Sequence, residues 1–350
     1  MNSDLKILLH GNMERLRLGA SFKRAFENLG HNVVPFDLRK RDKHLTWWLT
    51  NRAGKKLTEQ NLRMRRWGST EWRDLFLNTA RREQPDLAFI LEGEYLMPET
   101  IRSLQHFCRC VVGFNADNPF PGNPSSRPEH IPASKEMDGY FIWSRALKRR
   151  LTKQGVSDVR YLPFAWDPEV FPSRPINLEP EHDVVFIGNW CPKREEWLEP
   201  VAEHFDLRIW GAWWDRSSWG SALRDSWREK QIHGKEASKV VANTKICLNV
   251  MRDHNLPDGT NMRTFEVPGA GGFLLSTWSE GADAIFPEGE AGAYFRSVDE
   301  MLDQIRYYLD RGQERQEIAQ RAHAIAKKNT YTERVEKIIE DQVCTKFEKM

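Results

Sequence analysis

Short apolar runs alternate with amphipathic stretches along the first half of the chain, and this alternation predicts its secondary structure. Continuous apolar runs predict strands at Lys6–Leu9, Asn32–Phe36, Leu87–Leu91, Cys110–Phe114 and Gly139–Trp143. Helical spacing predicts helices at Ser21–Leu29, Trp72–Arg82 and Pro98–Phe107. Nearly continuous apolar strands that alternate with helices are typical of a parallel sheet with both faces covered. The first half is therefore predicted to form an α/β domain.

The second half of the chain repeats the pattern. Strands are predicted at Asp183–Ile187, Leu207–Trp210, Ile246–Val250 and Phe273–Ser276, and helices at Pro192–His204, Val298–Arg311 and Glu314–Lys328. Residues 163–180, between the halves, contain five prolines and little periodicity, which is typical of a linker. We therefore predict two α/β domains, residues 1–165 and residues 166–330.

Composition is that of a soluble globular protein. The 350 residues, 40% hydrophobic and 29% charged, are enough for two domains with separate cores. No apolar run approaches the ~20 residues of a membrane-spanning helix. The run Ile7–Leu9 is too short for a secretory signal. We expect a cytoplasmic protein with no membrane span and no obligate protein partner.

The five cysteines are scattered in apolar segments, and only Cys108 and Cys110 lie close together. Cys-x-Cys is not the spacing of a zinc ribbon or a thioredoxin-like motif. We expect reduced thiols and no structural metal.

Charge is unevenly divided between the two halves. Residues 1–170 hold 28 Lys+Arg and 20 Asp+Glu, a net charge of +8. The remaining residues hold 24 and 30, a net charge of −6. Halves of opposite sign suggest different tasks, the first with an anionic partner.

A candidate anion site follows the predicted strand Asp183–Ile187. Gly188 ends the strand, Asn189 lies in the turn, and Lys193 and Arg194 open the next helix. Ligands of open α/β sheets bind where strands end and helices begin. Cations oppose the helix dipole at that position, so their presence suits a bound diphosphate. The alternative interpretation is a solvated helix start.

The segment 258–276 predicts a second part of the same site. It combines a polar loop, a short helix with Arg263 and Glu266, a glycine turn and a buried strand. Asp258 and Glu266 can converge on one ligand, one near a transferred sugar and the other near a ribose. Arg263 and Glu266 can instead pair with each other at i and i+3. That alternative leaves unexplained three glycines, which permit close backbone approach: Gly269, Gly271 and Gly272.

Several segments together resemble the CgeB-like (spore-maturation type) glycosyltransferases. They are Tyr161–Phe171, Asp183–Gly188, Asn261-x-Arg263-x-Phe265-Glu266, Gly271-Gly272-Phe273-Leu274-Leu275 and Thr330-Tyr331-x-x-Arg334. The resemblance covers about residues 139–340 and does not include residues 39–82.

This resemblance implies a GT-B architecture, in which two Rossmann-like domains with parallel sheets face each other across a cleft. It implies that helix 331–350 crosses back to the first domain. A nucleotide-sugar donor, with UDP preferred, would be held mainly by the C-terminal domain. The residues implied in donor binding are Gly188, Asn189, Lys193, Arg194, Asn261, Arg263, Glu266, Gly271 and Gly272.

The resemblance also assigns roles to the two carboxylates. Glu266 matches the ribose-binding member of a Glu-x7-Glu pair, and Asp258 stands where the first Glu usually lies. A retaining reaction is implied. The chain contains no Asp-x-Asp, the motif with which GT-A enzymes hold a cation. We therefore expect metal-independent transfer without a cofactor, since the nucleotide-sugar is a substrate.

Candidate acceptor-side residues follow the strands of the first half. Asp117 lies just beyond the strand Cys110–Phe114, and Glu94, with Glu92, follows Leu87–Leu91. Either Asp117 or Glu94 can serve as a general base, and the structural alternative is a loop cap. Three residues at the end of the first strand are predicted to line the cleft: His10, Gly11 and Asn12.

The segment 39–82 is strongly basic and rich in tryptophan. It holds 13 Lys+Arg against 4 Asp+Glu, and its candidate acceptor contacts are Trp47, Trp48, Arg65, Arg66 and Trp67, with Trp72 nearby. Cations with aromatic faces are typical of nucleic-acid binding, so the acceptor hypothesis is a hydroxylated base in DNA. A helical insertion whose tryptophans pack on the domain is equally consistent. Tryptophans also stack on sugar rings, which leaves a polysaccharide, cell-surface or protein acceptor open.

Two other classes of function compete with a glycosyltransferase. One is a non-catalytic DNA-binding module with the same fold. The other is a dinucleotide-dependent enzyme such as a dehydrogenase, which Rossmann-like halves alone would allow. The first strand is not followed by Gly-x-Gly-x-x-Gly, since Gly11 has only Gly19 near it. That absence argues against the dehydrogenase.

Overall fold

The computed structural model describes most of the chain: residues 4–37, 63, 66, 69–123, 125–175, 179–218, 220–253 and 258–344. The chain divides into two compact units. Unit 1 comprises Met1–Pro163 and Tyr331–Met350, and unit 2 comprises Phe164–Thr330.

Unit 1 is built on a six-stranded parallel sheet. Its strands are β1 (Lys6–Gly11), β2 (Asn32–Asp37), β3 (Leu87–Leu91), β4 (Cys110–Asn115), β5 (Gly139–Ile142) and β6 (Val159–Tyr161). Its described helices are α1 (Leu18–Asn28), α2 (Thr70–Glu83), α3 (Pro98–Leu104), α4 (His130–Ser134), α5 (Arg145–Lys153) and the C-terminal α13 (Tyr331–Ile338), which continues as a π-turn, Ile339–Cys344. The strand order is β2-β1-β3-β4-β5-β6. Every residue of β3, β4 and β5 is buried, as expected for strands covered by helices on both faces.

The C-terminal helix α13 packs within unit 1. The ring of Tyr331 meets that of Phe22 on α1 edge-to-face at 5.2 Å. Arg334 Nε donates to the carbonyl of Pro163 at 3.1 Å. Burial lowers the pKa of the Arg334 guanidinium, so the helix holds a cation in a largely covered position. Both ends of the described chain therefore contribute to unit 1.

Unit 2 contains a five-stranded parallel sheet. Its strands are β7 (His182–Ile187), β8 (Leu207–Trp210), β9 (Thr244–Asn249), β10 (Leu274–Thr277) and β11 (Ala293–Phe295). Its described helices are α6 (Pro192–His204), α7 (Ala222–Ser226), α8 (Gly234–Ala242), α9 (Arg263–Ala270), α10 (Glu280–Asp283), α11 (Val298–Asp310) and α12 (Gly312–Ala326). The order β11-β10-β9-β7-β8 places β7 and β9 side by side near the centre. The predicted α/β class with two parallel sheets is confirmed.

The last part of the basic segment 39–82 belongs to the fold of unit 1, and the predicted helix Trp72–Arg82 is confirmed. Residues 70–83 form α2, a regular helix of unit 1, and Trp72 packs in the core with its ring 4.2 Å from that of Phe36. Arg66 lies at the surface, with its Nε 3.0 Å from a carboxylate oxygen of Glu99. Trp47, Trp48, Arg65 and Trp67 lie outside the described residues. Trp72 therefore belongs to the fold and is unavailable for stacking on a ligand.

The described helices include none that is both long enough and apolar enough to cross a bilayer.

Candidate functional site

A tight turn at the end of β7 begins the candidate site in unit 2. The N–H of Gly188 donates to the carbonyl of Trp210 at 2.8 Å. A Cβ at Gly188 would lie 2.8 Å from the Phe186 ring and 3.2 Å from Nη1 of Arg194. A side chain at this position would clash first with the Phe186 ring, so glycine leaves room for that ring and for the Arg194 guanidinium beside the turn.

Arg194, in the first turn of α6, joins the carboxyl ends of the two central strands. Its Nη1 donates to the carbonyl of Asn189 at 2.7 Å, and its Nε donates to the carbonyl of Val250 at 3.0 Å. A guanidinium has five N–H donors, so among described residues three remain for a ligand. Burial, with the nearby charges of Arg252 and Arg263, lowers the pKa of Arg194 to about 10. The site thus holds a cation at an electrostatic cost.

Two more cations lie at the same edge. Arg252 follows the end of β9 and is half-buried. It is close enough to Arg194 for its positive charge to lower the pKa of Arg194. Lys193 Nζ lies 2.5 Å from Oδ1 of Asp253, and the Asp253 side chain is largely exposed. An ion pair with such an exposed partner contributes little. Arg252 was missed in the sequence, although its place just beyond a strand end was a usable signal.

Arg263 and Glu266 form an ion pair in the first turn of α9. Arg263 Nη1 contacts the Glu266 carboxylate, and Arg263 Nε donates to the carbonyl of Ile187 at 3.2 Å. Glu266 is only 7% exposed, and burial lowers the pKa of Arg263 to about 10. The alternative interpretation, that these residues pair with each other, is correct. Their pair nevertheless lies against the end of β7, beside Arg194.

Charge at this edge is unbalanced within the described residues. The positive charges of Arg252 and Arg263 both lower the pKa of Arg194. Lys193 lies in the first turn of the same helix as Arg194. Among the residues that the structure describes, only Glu266 and the exposed Asp253 form ion pairs with these four cations. Like charges held together in a partly buried site repel each other unless an anion separates them. We call Lys193, Arg194, Arg252 and Arg263 the cation cluster, and its chemistry suits a diphosphate.

Asn261 positions α9, and its role in donor binding stays a prediction. Its Oδ1 accepts the backbone N–H of Thr264 at 3.1 Å, and its Nδ2 donates to Oδ1 of Asn249 at 2.9 Å. Asn249 Nδ2 in turn donates to Oγ of Ser276 at 3.1 Å. The Asn261 amide therefore caps the helix and links it to Asn249 at the end of β9.

Gly271 and Gly272 lie at the opposite end of the sheet from the cation cluster, so their predicted contact with the donor is wrong. They follow α9 and precede β10, at its amino end. Gly271 ends the helix with φ 91°, a left-handed conformation that favours glycine. A Cβ at Gly272 would lie 2.3 Å from Cγ1 of Val241. The helix end therefore favours Gly271, and close packing requires Gly272.

Asp258 is covered in this structure. The residue is 3% exposed, and its carbonyl oxygen lies close against Gly281 of α10, where a Cβ would approach it to 2.2 Å. Ser279 Oγ fixes the next residue by donating to the carbonyl of Gly259 at 2.7 Å. A catalytic role for Asp258 stays a prediction.

A polar cavity of about 170 Å³ lies in unit 1 at the carboxyl ends of β3 and β4. Its lining residues are Glu92, Glu94, Asn115, Asp117, Ser125, Arg127 and His130. Glu94 pairs with Arg127 at 3.5 Å, and the N–H of Asp117 donates to Oδ1 of Asn115 at 2.8 Å. The structure thus brings both candidate bases to one cavity. Arg127 and His130 come from the segment before and at the start of α4, and no sequence motif pointed to them.

The loop that carries Glu92 and Glu94 is strained. Glu92 has φ 64° and Tyr95 has φ 66°, both in the left-handed region that non-glycine residues rarely adopt. The N–H of Tyr95 donates to Oε1 of the buried Glu129 at 2.9 Å, which holds this conformation. Such strain is concentrated at functional sites in general.

His10 and Gly11 lie in the core of unit 1, which corrects their predicted place in a cleft. His10 is fully buried, with its ring stacked on Phe36 at 6.1 Å and edge-on to Phe76 at 5.2 Å. A Cβ at Gly11 would lie 3.0 Å from Leu91. Asn12 is half-buried, and its Oδ1 accepts the N–H of Glu14 at 2.9 Å, so it shapes the turn before α1.

Comparison with known proteins agrees with this architecture. Residues 193–340 match a family model described as glycosyl transferase-like. This match contains the cation cluster, Glu266 and α13. No curated protein has a sequence that matches the chain significantly.

Solved structures of similar length share the fold at low sequence identity. Sucrose-phosphate synthase from Thermosynechococcus elongatus is 12% identical with a TM-score of 0.66, covering 97% of this chain and 100% of its own. The UDP-forming α,α-trehalose-phosphate synthase from Burkholderia xenovorans is also 12% identical with a TM-score of 0.66, covering 97% and 99%. HepE from Anabaena, crystallised in complex with UDP, is 12% identical with a TM-score of 0.61, covering 97% and 100%.

The chain therefore has the GT-B glycosyltransferase fold, with a Rossmann-like parallel sheet in each unit. Its C-terminal part matches the glycosyl transferase-like family, whereas the narrower CgeB-like resemblance is not among these matches. Within the described residues, no group of three or more His, Cys, Asp or Glu side chains is placed to hold a metal ion.

Replacing Arg252 with alanine is expected to weaken anion binding without destabilising the free protein. The change removes a charge that repels Arg194, so the free energy of unfolding should stay within about 0.5 kcal/mol of the original value. A charge-assisted hydrogen bond contributes about 1.5 kcal/mol, so the Kd for pyrophosphate should rise about tenfold. Calorimetry and chemical denaturation measure the two quantities. Arg306→Ala, an exposed arginine on α11, is the matched control, and an unchanged pyrophosphate affinity in Arg252→Ala would contradict the role of the cluster.

Proposed function

We propose that the protein is a glycosyltransferase that moves a sugar from a nucleotide-sugar, with UDP preferred, to an acceptor hydroxyl. The cation cluster at the ends of β7 and β9 is the observation that carries this proposal. During transfer, the bond between the sugar and the diphosphate breaks and negative charge develops on the departing nucleoside diphosphate. Fixed cations at that position stabilise the transition state. The fold match and the UDP complex of HepE support the same assignment.

The cluster also supports metal-independent transfer. Two of the five N–H donors of Arg194 bond to described residues, which leaves the others for a ligand. Arg252 contributes further positive charge beside it. These groups can neutralise a diphosphate in place of a divalent cation. We infer a retaining outcome from the resemblance of the site to Glu-x7-Glu enzymes. Activity that persists in excess EDTA, with the anomeric configuration of the product read by NMR, tests both inferences.

Glu266 is proposed to accept hydrogen bonds from the ribose hydroxyls. Its position on the first turn of α9, beside the end of β7, places it next to the proposed diphosphate site. Arg263 holds the carboxylate in a fixed orientation, so the ion pair and ribose binding are compatible roles. A small part of Glu266 stays exposed for this contact.

Replacing Glu266 with glutamine is expected to reduce the preference for ribose over deoxyribose. The original protein should bind UDP about tenfold more tightly than 2′-deoxy-UDP, since a hydrogen bond to a charged group contributes about 1.5 kcal/mol. In Glu266→Gln the two Kd values should approach each other, which a purely structural ion pair would not cause. Calorimetric titration with both nucleotides measures the ratio. Glu280→Gln, in the first turn of α10, is the control, and an unchanged ratio in Glu266→Gln would sink the ribose assignment.

Acceptor activation is proposed for the polar cavity of unit 1. Asp117 lies at the carboxyl edge of the first sheet, where ligands of such sheets bind. As general base it would take the proton of the acceptor hydroxyl as the new glycosidic bond forms. Glu94 is the second candidate, but its ion pair with Arg127 favours its ionised form and weakens it as a base.

Replacing Asp117 with asparagine is expected to slow turnover while leaving donor binding intact. General-base catalysis contributes a factor of about 10² or more, so kcat should fall about a hundredfold. The Kd for UDP should not change, because Asp117 belongs to unit 1 and the cation cluster to unit 2. Steady-state kinetics with titration of UDP separates the effects. Glu136→Gln, a surface carboxylate paired with Arg102, is the control, and full turnover in Asp117→Asn would exclude this base.

A hydroxylated base in DNA remains the acceptor hypothesis drawn from the basic segment, with a polysaccharide, cell-surface or protein acceptor as the alternative. Three carboxylates line the unit 1 cavity, and carboxylates repel phosphate groups. The described residues thus favour a neutral hydroxyl group inside the cavity. Binding of duplex DNA should weaken steeply with salt if the basic segment contacts phosphates, and no such dependence would count against DNA.

A further inference from the structure

Trp213 presents an exposed indole at the same edge of unit 2 as the cation cluster. It follows β8, the strand next to β7. The residue is 48% exposed, the largest fraction among the exposed large hydrophobic residues that the structure describes. A single exposed apolar residue is ordinary in a globular protein. Trp213 differs from such residues because its neighbours in the chain hold its backbone in a fixed conformation.

Trp213 is held outward by a set of anchors on either side of it. Its own φ is 66°, a left-handed conformation that costs free energy for a non-glycine residue. The next residue, Trp214, is fully buried and its indole N–H donates to the carbonyl of Gly188 at 2.9 Å. The preceding Ala212 donates its N–H to Oδ1 of Asn189 at 3.0 Å. Burial of Trp214 and the bond to Asn189 therefore fix the strained backbone that exposes Trp213.

Arg216 and Trp190 complete an aromatic surface around this indole. The guanidinium carbon of Arg216 lies 5.5 Å from the centre of the Trp213 ring and 5.9 Å from that of Trp190. Trp190 is fixed in turn, because its indole N–H donates to Oε2 of Glu195 at 2.7 Å. No described carboxylate forms an ion pair with Arg216. We call Trp190, Trp213 and Arg216 the stacking platform.

The stacking platform and the cation cluster share one residue. The carbonyl oxygen of Asn189 accepts a hydrogen bond from Arg194. Its side-chain Oδ1 accepts one from the N–H of Ala212, the neighbour of Trp213. One turn thus couples the group proposed to hold the diphosphate to the loop that carries the exposed indole. A nucleotide bound through its diphosphate at Arg194 would have this loop beside it, because both are bonded to Asn189.

We propose that the stacking platform binds the base of the donor nucleotide, with Trp213 stacked on its face. The inference rests on the proposed function and adds the residues that recognise the nucleoside. A planar, unsaturated base matches both the indole and the guanidinium, since each of them stacks on aromatic faces. A sugar ring offers C–H groups to the indole but no π face to Arg216. The free N–H groups of Arg216 also match carbonyl oxygens such as those of uracil.

The test compares UDP with pyrophosphate in Trp213→Ala and Trp213→Phe. Loss of one stacking contact should raise the Kd for UDP about tenfold in Trp213→Ala, while the Kd for pyrophosphate stays unchanged, because pyrophosphate lacks a base. Trp213→Phe should recover most of the affinity. Tyr307→Ala is the matched control, since Tyr307 is also exposed with an arginine, Arg311, over its ring at 3.8 Å. Circular dichroism and thermal unfolding establish that each variant is folded.

The possible results separate failure of the stacking platform from failure of the proposed function. Equal UDP affinity in the original protein and Trp213→Ala would overturn the platform and leave the proposed function standing. Unchanged UDP affinity with a raised KM for the acceptor would assign the indole to the acceptor instead and likewise overturn the proposal. Failure of the original protein to bind any nucleoside diphosphate would overturn both the proposed function and this inference. A parallel loss of pyrophosphate affinity in Trp213→Ala would also contradict it, because stacking on a base cannot affect pyrophosphate.

Discussion

Buried guanidinium groups bonded to strand-end carbonyls are the constraint on which the second unit's site depends. Arg194 bridges the ends of β7 and β9, and Arg263 bridges α9 to the end of β7. These bonds satisfy carbonyl oxygens that a parallel sheet leaves at its carboxyl edge. They also gather positive charge at a covered position. The same contacts that close the edge of the sheet thus hold the charges on which the proposed diphosphate binding depends.

This coupling explains why the surroundings of the arginines are so closely specified. Gly188 leaves room for the Arg194 guanidinium, and Asn261 fixes the first turn of α9 on which Arg263 and Glu266 lie. Buried cations lose hydration, which is the main reason that the pKa of each arginine is lowered. A diphosphate would restore favourable interactions to these groups.

Much of the fold could be read from the apolar runs, because strands covered on both faces must be apolar along their length. Strands β6 and β11 were missed, since three residues are too few to show a pattern. The rule that ligands bind beyond strand ends also placed Lys193 and Arg194 at the carboxyl edge of the second sheet, and the pattern of residues 258–276 placed Arg263 and Glu266 in one short helix. The rule failed for His10, whose side chain points into the core from within β1. The roles of Gly271 and Gly272 could not be read, because the same residue serves a ligand approach, a helix end or a close packing contact, and only coordinates distinguish these.

The location of α13 has a consequence for the order in which the two units can fold. Unit 1 is discontinuous, since Tyr331 and Arg334 complete a core begun by Phe22 more than 300 residues earlier, whereas unit 2 is a single uninterrupted stretch. In the order of translation, the whole of unit 2 is made before the segment that completes unit 1. Unit 2 can therefore fold without the rest of the chain, whereas the face of α1 that receives Tyr331 stays uncovered until α13 is available.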